Sequence, residues 1–246
     1  MSGGYHIRDD LLDAKASVDW AVAQLPTLEQ RFKAWGESAA FQLVGDDSHP
    51  ETGKHFIKLR VTEPFPRIVN AEVGAIINGL RSSLDILAST IADRYPELGQ
   101  NDVYFPIAKS ADAWMKGDYK GSKFIKSLPA TVSGIFETVK PYSGGNNALV
   151  ALHALDVTRK HRRLIAVRIV PSGGIWATPG MEFPAVWPRF EDDAIIAWTP
   201  IGAPEGQLQT ALDITFDEGT LIPNEPVVTA LRDFAGLAES IIKLFG

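Results

Sequence analysis

From Asp9 to Trp35 the apolar residues Leu11, Ala14, Val18, Ala21, Leu25, Leu28, Phe32 and Trp35 follow one another at alternating three- and four-residue steps. That spacing draws a single narrow seam down a long helix, and the seam must be covered by another helix. A second such stripe, Val69, Val73, Ile76, Leu80, Leu84, Leu87 and Ile91, runs through residues 67–95. A third, Val228, Leu231, Phe234, Leu237, Ile241 and Leu244, closes the chain over residues 226–245. Three one-sided helices cannot stand alone in water, so they pack on one another and on whatever sheet the chain supplies. A self-associating coiled coil would use the first seam too, so a homodimer stands beside packing within the chain. Pro26 falls inside the first helix, where it removes a hydrogen bond and predicts a kink or break.

The sheet comes from two places. Residues 41–44 and 56–61 form a predicted hairpin, with Ile57, Leu59 and Val61 on one face, Lys58 and Arg60 on the other, and Pro64 and Pro66 ending the second strand. Later, residues 164–170, 175–178, 194–198 and 208–216 are rich in strand-forming side chains and divided by Pro and Gly. They predict an antiparallel sheet that the early strands join. Between the two β regions lie a loop over 96–106, short helical pieces to about 139 with Pro129 opening the last, a turn at 141–145, and a helix over 146–162 capped by Asn146 or Asn147. The expected class is α+β, a bundle of long helices packed with an antiparallel sheet. It is read as a single domain over 1–246: a helical part over 9–163 with an early β-hairpin at 40–63, a β-rich part over 164–217, and the final helix.

Composition narrows function mostly by exclusion. The chain has 246 residues, 45% hydrophobic and 22% charged, as in an ordinary globular protein. It has no cysteine, which removes disulfides, thiolate metal sites and cysteine nucleophiles. No apolar run approaches the ~20 residues that span a bilayer, and the polar first ten residues lack a signal-peptide core, so a cytoplasmic protein with no membrane contact is expected. A net charge of −6 disfavours polyanions for the molecule as a whole. Against that background Arg159, Lys160, His161, Arg162, Arg163 and Arg168 form a basic patch suited to a phosphate-containing ligand or RNA.

Two helices carry polar residues where packing alone would not put them. Opposite the core stripe of the 67–95 helix lie Ala71, Ala75, Asn78, Ser82, Asp85, Ser89 and Ala92. A solvent face is normally built from long, helix-favouring residues. These are short, and they suggest that another helix or a pocket wall comes close. Arg81 stands one turn before Asp85, in position for an i,i+4 pair. On the 146–162 helix, His153, Asp156 and Lys160 fall on one line between Leu152 and Val157, inside an apolar sector. Such a stripe must be hydrogen-bonded or paired. It is either a structural network in which Asp156 pairs with Lys160, or one wall of a site on which Asn78, Arg81, Asp85, His153, Asp156, Lys160, His161 and Arg162 converge.

The string Asn78-Gly79-Leu80-Arg81-Ser82-Ser83-Leu84-Asp85 resembles a pattern in a group of bacterial proteins of no established activity. There, an N-L-R-S-x-L-D helix is followed by F-P-I, by P-Y and by a D-K-H-R helix end. Here Phe105-Pro106-Ile107, Pro141-Tyr142 and Lys160-His161-Arg162 come in the same order, with Arg159 in place of the aspartate. The likeness covers residues 66–164 and implies no activity. An Arg-bearing helix facing a His-bearing helix is also similar in outline to HEPN-type domains, many of which are metal-independent ribonucleases. Their Arg and His lie farther apart than Arg159 and His161 do.

Two functions follow. The first is a binding or structural module whose polar helices form an internal lock. The alternative is a HEPN-like, metal-independent ribonuclease or phosphodiesterase, with Arg81, Asp85 and His161 as catalytic residues and Asn78, His153, Asp156, Lys160 and Arg162 binding the substrate. That chemistry needs a base at the 2′-hydroxyl and a cation for the developing phosphorane charge. A metal held by Asp85, His153, Asp156 and His161 ranks lower for want of an HExxH-like spacing, and no cofactor is expected. Neither G-x-S-x-G, a P-loop nor a dinucleotide fingerprint is present. Ser143-Gly144-Gly145 reads as a connection before an anion site. His6, His49 and His55 lie in polar or strand-edge contexts, while Trp176, Trp187 and Trp198 suit sheet packing or an aromatic ligand surface.

Overall fold

The computed structural model describes residues 7–48, 52–98, 102–177, 180–185, 188, 190–203, 208–218, 222 and 225–246. Seven α-helices and five strands lie in that described part: α1 (Leu12–Gly36), β1 (Phe41–Asp46), β2 (Lys54–Val61), α2 (Arg67–Asp93), α3 (Ala111–Lys116), α4 (Ser122–Ser127), α5 (Ala130–Val139), α6 (Asn147–His161), β3 (Val167–Ala177), β4 (Ile195–Pro200), β5 (Leu208–Phe216) and α7 (Val227–Lys243). The class is α+β. Among these residues no helix is long and apolar enough to cross a membrane.

The chain gathers into two compact units, each assembled from distant segments. One comprises Met1–Pro26, Ala71–Ile165 and Val228–Gly246, the other Thr27–Asn70 and Ala166–Val227. The helical and β-rich parts expected from the sequence therefore do not divide it as the packing does.

In the first unit the seam of α1 is buried from Leu11 to Leu25, and the α2 stripe from Val73 to Ile91 is inaccessible. Leu149, Leu152 and Leu155 of α6 and Leu231, Phe234 and Ile242 of α7 complete this core. Phe136 of α5 sits between Phe105 and Phe245, at ring-centroid distances of 5.6 and 4.9 Å. The chain end is tied down by Arg94, which donates to the Phe245 carbonyl and pairs with Asp10 at 2.8 Å.

The second unit holds all five strands, in two sheets. β1 pairs with β2 and β2 with β4, both antiparallel, and β3 pairs only with β5. This corrects the expectation of one sheet. The two runs expected at 164–170 and 175–178 are also a single strand, β3. Pro171 can lie within it because a strand of a two-stranded sheet has one side without a partner, where a missing N–H costs nothing. An irregularity between Ser172 and Trp176 absorbs the two glycines. Trp35, only 6% exposed, anchors a cluster with Phe41, Phe65 and Phe190.

Three helix expectations change. α1 runs unbroken through Pro26, which is exposed. An exposed position lets the helix carry the missing N–H, since the freed carbonyl need not be buried without a partner. On α7 the large-residue stripe was only part of the buried face: Ala230, Ala235 and Ala238 are buried, whereas Leu244 is 49% exposed. Pro129 precedes α5 as its N-cap and is not its first helical residue.

Candidate functional site

α6 begins where Asn146 Oδ1 accepts from the Leu149 N–H at 3.0 Å, the capping bond that satisfies one of the free donors of a first turn. The preceding Gly144 and Gly145 amides are already bonded, to Asn147 Oδ1 and to the Tyr142 carbonyl, so this turn has no such donors to offer an anion. From that cap the helix lays Leu149, Leu152 and Leu155 into the core, and Asp156 with them.

The short-residue face of α2 is the face α6 meets. At Gly74 the Cβ of any other residue would come within 2.7 Å of Arg159 Cδ, so the glycine makes room for the arginine stem. One turn on, Asn78 Nδ2 donates to Asp156 Oδ1 at 3.1 Å and to Ser82 Oγ at 3.3 Å. Asp156 is 3% exposed. Its charge is met by Lys160 Nζ at 2.6 Å, and more loosely by Arg159 Nε at 3.8 Å. The stripe within the apolar sector of α6 is thus paired, as burial requires.

Arg81, 5% exposed, is the second centre. Its Nε donates to His153 Nδ1 at 3.3 Å and its Nη2 to the Phe105 carbonyl at 3.3 Å. Its Nη1 lies 2.8 Å from Asp85 Oδ1, off the line of its N–H bonds and so a charge contact more than a directed hydrogen bond. Asp85 Oδ1 also accepts the Phe105 N–H at 3.1 Å. Arg81 and Asp85 together therefore hold both polar groups of the Phe105 backbone. Phe105 stood in the sequence only within the Phe105-Pro106-Ile107 string, and nothing marked its backbone or Gly74, because a backbone contact leaves no mark on residue type.

Because an arginine N–H only donates, His153 Nδ1 must present a lone pair, and the proton of the neutral ring sits on Nε2. Burial first, then the Arg81 charge, hold this imidazole below its ordinary 6.5, with Lys160 adding to the effect and Asp156 and Asp85 opposing it. The unfolded chain therefore takes up this proton more readily than the folded one. Its stabilising contribution is complete above about pH 6.5 and is lost as pH falls through the lower folded value. Urea midpoints taken from about pH 7 to about pH 5 should fall more steeply for the wild type than for His153→Gln, which keeps an acceptor without a titrating ring.

Asn78, Arg81, Asp85, His153, Asp156 and Lys160 are brought together, but His161 and Arg162 are not. Both are exposed and enter none of the bonds above. The reason is rotation: His161 follows Lys160 by ~100° around the helix, away from α2, and Arg162 is the C-cap, bonded through its N–H to the Thr158 carbonyl. The six-residue basic patch is likewise reduced. Lys160, His161, Arg162 and Arg163 are exposed, Arg159 is half-buried over Gly74, and Arg168 belongs to β3 in the other unit. Among the described residues no three His, Asp or Glu side chains converge to hold a metal. Of the tryptophans, Trp198 donates to Glu182 at 2.6 Å and lies under the Lys54 ammonium. Trp187 and the Trp176 side chain lie outside the described residues, as do His6 and His49, and His55 bonds Asp47.

No family model matches this chain, and no curated protein or solved structure is significantly similar to it.

Proposed function

We propose that this protein is a binding module in which the α2–α6 polar network is an internal lock. The observation that carries this reading is the state of Arg81. All three of its guanidinium nitrogens contact acceptors of the protein itself. A cation meant for a phosphorane-like charge needs donors aimed at the substrate, whereas Nε and Nη2 donate to His153 and Phe105 and Nη1 faces the Asp85 carboxylate. Lys160 is engaged with Asp156 in the same way. The exposed turn from Lys160 to Arg163 is the outward product of this arrangement, and a phosphate-containing ligand such as RNA is the class it suits.

The HEPN-like phosphodiesterase reading keeps one observation in its favour, the neutral His153 beside two cations. Both readings are tested together. Asp156→Asn should lower stability by about 1–3 kcal/mol, because a buried group loses its charged partner. His161→Ala should stay within about 0.5 kcal/mol of wild type. Under the lock, single-stranded RNA incubated with the protein stays intact. RNA cleavage that Arg81→Lys abolishes, with Asp156→Asn neutral or stabilising, would establish the enzyme instead, since residues held for function often cost stability.

A further inference from the structure

The segment from Tyr104 to Lys126 carries a second concentration of positive charge, away from α6 in the sequence. Lys109, Lys116, Lys120, Lys123 and Lys126 stand against only Asp112 and Asp118, in a chain whose overall charge is −6. All five lysines are exposed. Lys126 of α4 places its ammonium directly against Gly117, the residue after Lys116 at the end of α3. Lys123 and Lys126, three residues apart on α4, are neighbours on its surface. Asp112 holds Lys116 at 2.8 Å, but both side chains are about two-thirds exposed, so this pair screens little and contributes little.

An aromatic ring lies beside one of them. Tyr104 is 38% exposed, and Lys120 Nζ sits 3.3 Å from its ring centroid. The position is built. Gly121, at φ 86°, lies so close to the Tyr104 carbonyl that a Cβ would come within 2.7 Å, and its N–H is held by Asp102 at 3.0 Å. Tyr104 is also next to Phe105, whose two backbone polar groups are fixed by Arg81 and Asp85. On the same segment Trp114 and Tyr119 stack with ring centroids 4.6 Å apart.

We propose that this α3–α4 surface binds single-stranded nucleic acid, with the lysines on successive phosphates and one base stacked on Tyr104. An accessible ring among cations is what an unpaired strand uses, because its bases are free to stack, whereas a duplex hides them. Lys120 already occupies the ring as a cation–π partner. An arriving base takes that place, and the ammonium moves onto the adjoining phosphate. The surface uses none of the residues of the α6 turn, so the two stand or fall separately.

The test is fluorescence anisotropy of a labelled oligo(U) of about 12 nucleotides with the full chain, at roughly 50 and 200 mM salt. The double variant Lys120→Glu/Lys123→Glu should bind at least tenfold more weakly at the lower salt and show a salt slope shallower by about 1.4, from two lost phosphate contacts. Tyr104→Ala should lose about fivefold or more with the slope unchanged, and Tyr104→Phe should bind as wild type, since stacking needs only the ring. On an Arg162→Glu/Arg163→Glu background, which removes the charge of the α6 turn, the losses caused by Lys120→Glu/Lys123→Glu and by Tyr104→Ala should persist. Binding that only Arg162→Glu/Arg163→Glu abolishes overturns the α3–α4 site and leaves the α6 turn as the ligand surface. No binding to wild type overturns the proposal outright, as does capture only by phosphatidylserine vesicles.

Discussion

Replacing Arg81 with methionine should lower the unfolding free energy by about 3–5 kcal/mol, the usual cost of removing one member of a buried charged network. The side chain is almost inaccessible, and methionine fills much of its volume, so the loss reports the abandoned partners more than a cavity. Those partners are Asp85, His153 Nδ1 and the Phe105 carbonyl. Lysine should not rescue it, because a single ammonium cannot span three acceptors in the fork that guanidinium provides. Urea denaturation at pH 7.5 or so, well above the His153 transition, isolates this effect from that of protonation. A loss under about 1 kcal/mol would mean that the network does not act as a lock.

Phe136→Ala should cost a similar amount, about 3–5 kcal/mol, by the different route of an unfilled core. Phe136 is wholly buried and bridges Phe105 on one side and Phe245 on the other. Both variants act on Phe105: one frees its peptide from Arg81, the other removes the ring against which it packs. Residues that share a partner are not independent. The double variant Arg81→Met/Phe136→Ala should therefore lose less than the sum of the two single losses, by roughly 0.5 kcal/mol or more. Strict additivity would show that the Phe105 segment does not link the polar network to the aromatic core.

Much of this architecture is written in residue spacing. The α1 seam and the α2 stripe came directly from three- and four-residue periodicity, and all the residues it names but Phe32 are buried, with Ile77, Ser83, Ala88 and Ala92 buried beside the α2 stripe. The same logic fell short on α7, where alanines carry part of the buried face and large residues alone were a poor guide. The break expected at Pro26 and the division expected near Pro171 are absent for a shared reason. A proline ends an element only if the lost hydrogen bond matters there, and that depends on what lies beside it. At Pro26 the neighbour is solvent, and on β3 one side carries no strand.

The polar positions show the same division. The unusual residue types along α2 and α6 marked six of the eight candidates that the fold brings together, because a short or charged residue inside a packed sector needs a partner wherever it is found. Which partner it takes is not local information. Asp156 could have met Arg81, and meets Asn78 and Lys160 instead. His161 looked like part of the cluster by number and is turned away by one residue of helix rotation. The Tyr104 surface was invisible for the opposite reason, since scattered lysines between turns have no periodicity to read and Lys120 meets the Tyr104 ring only in the fold. The sequence by itself determined the helices, their buried faces and the need for a paired polar stripe, because these follow from backbone geometry and from the cost of burying unpaired polar groups. Only the tertiary structure decided the pairing of strands, the closing of Arg81 onto its own protein, and the company Lys120 keeps, because each depends on contacts between residues far apart in the chain.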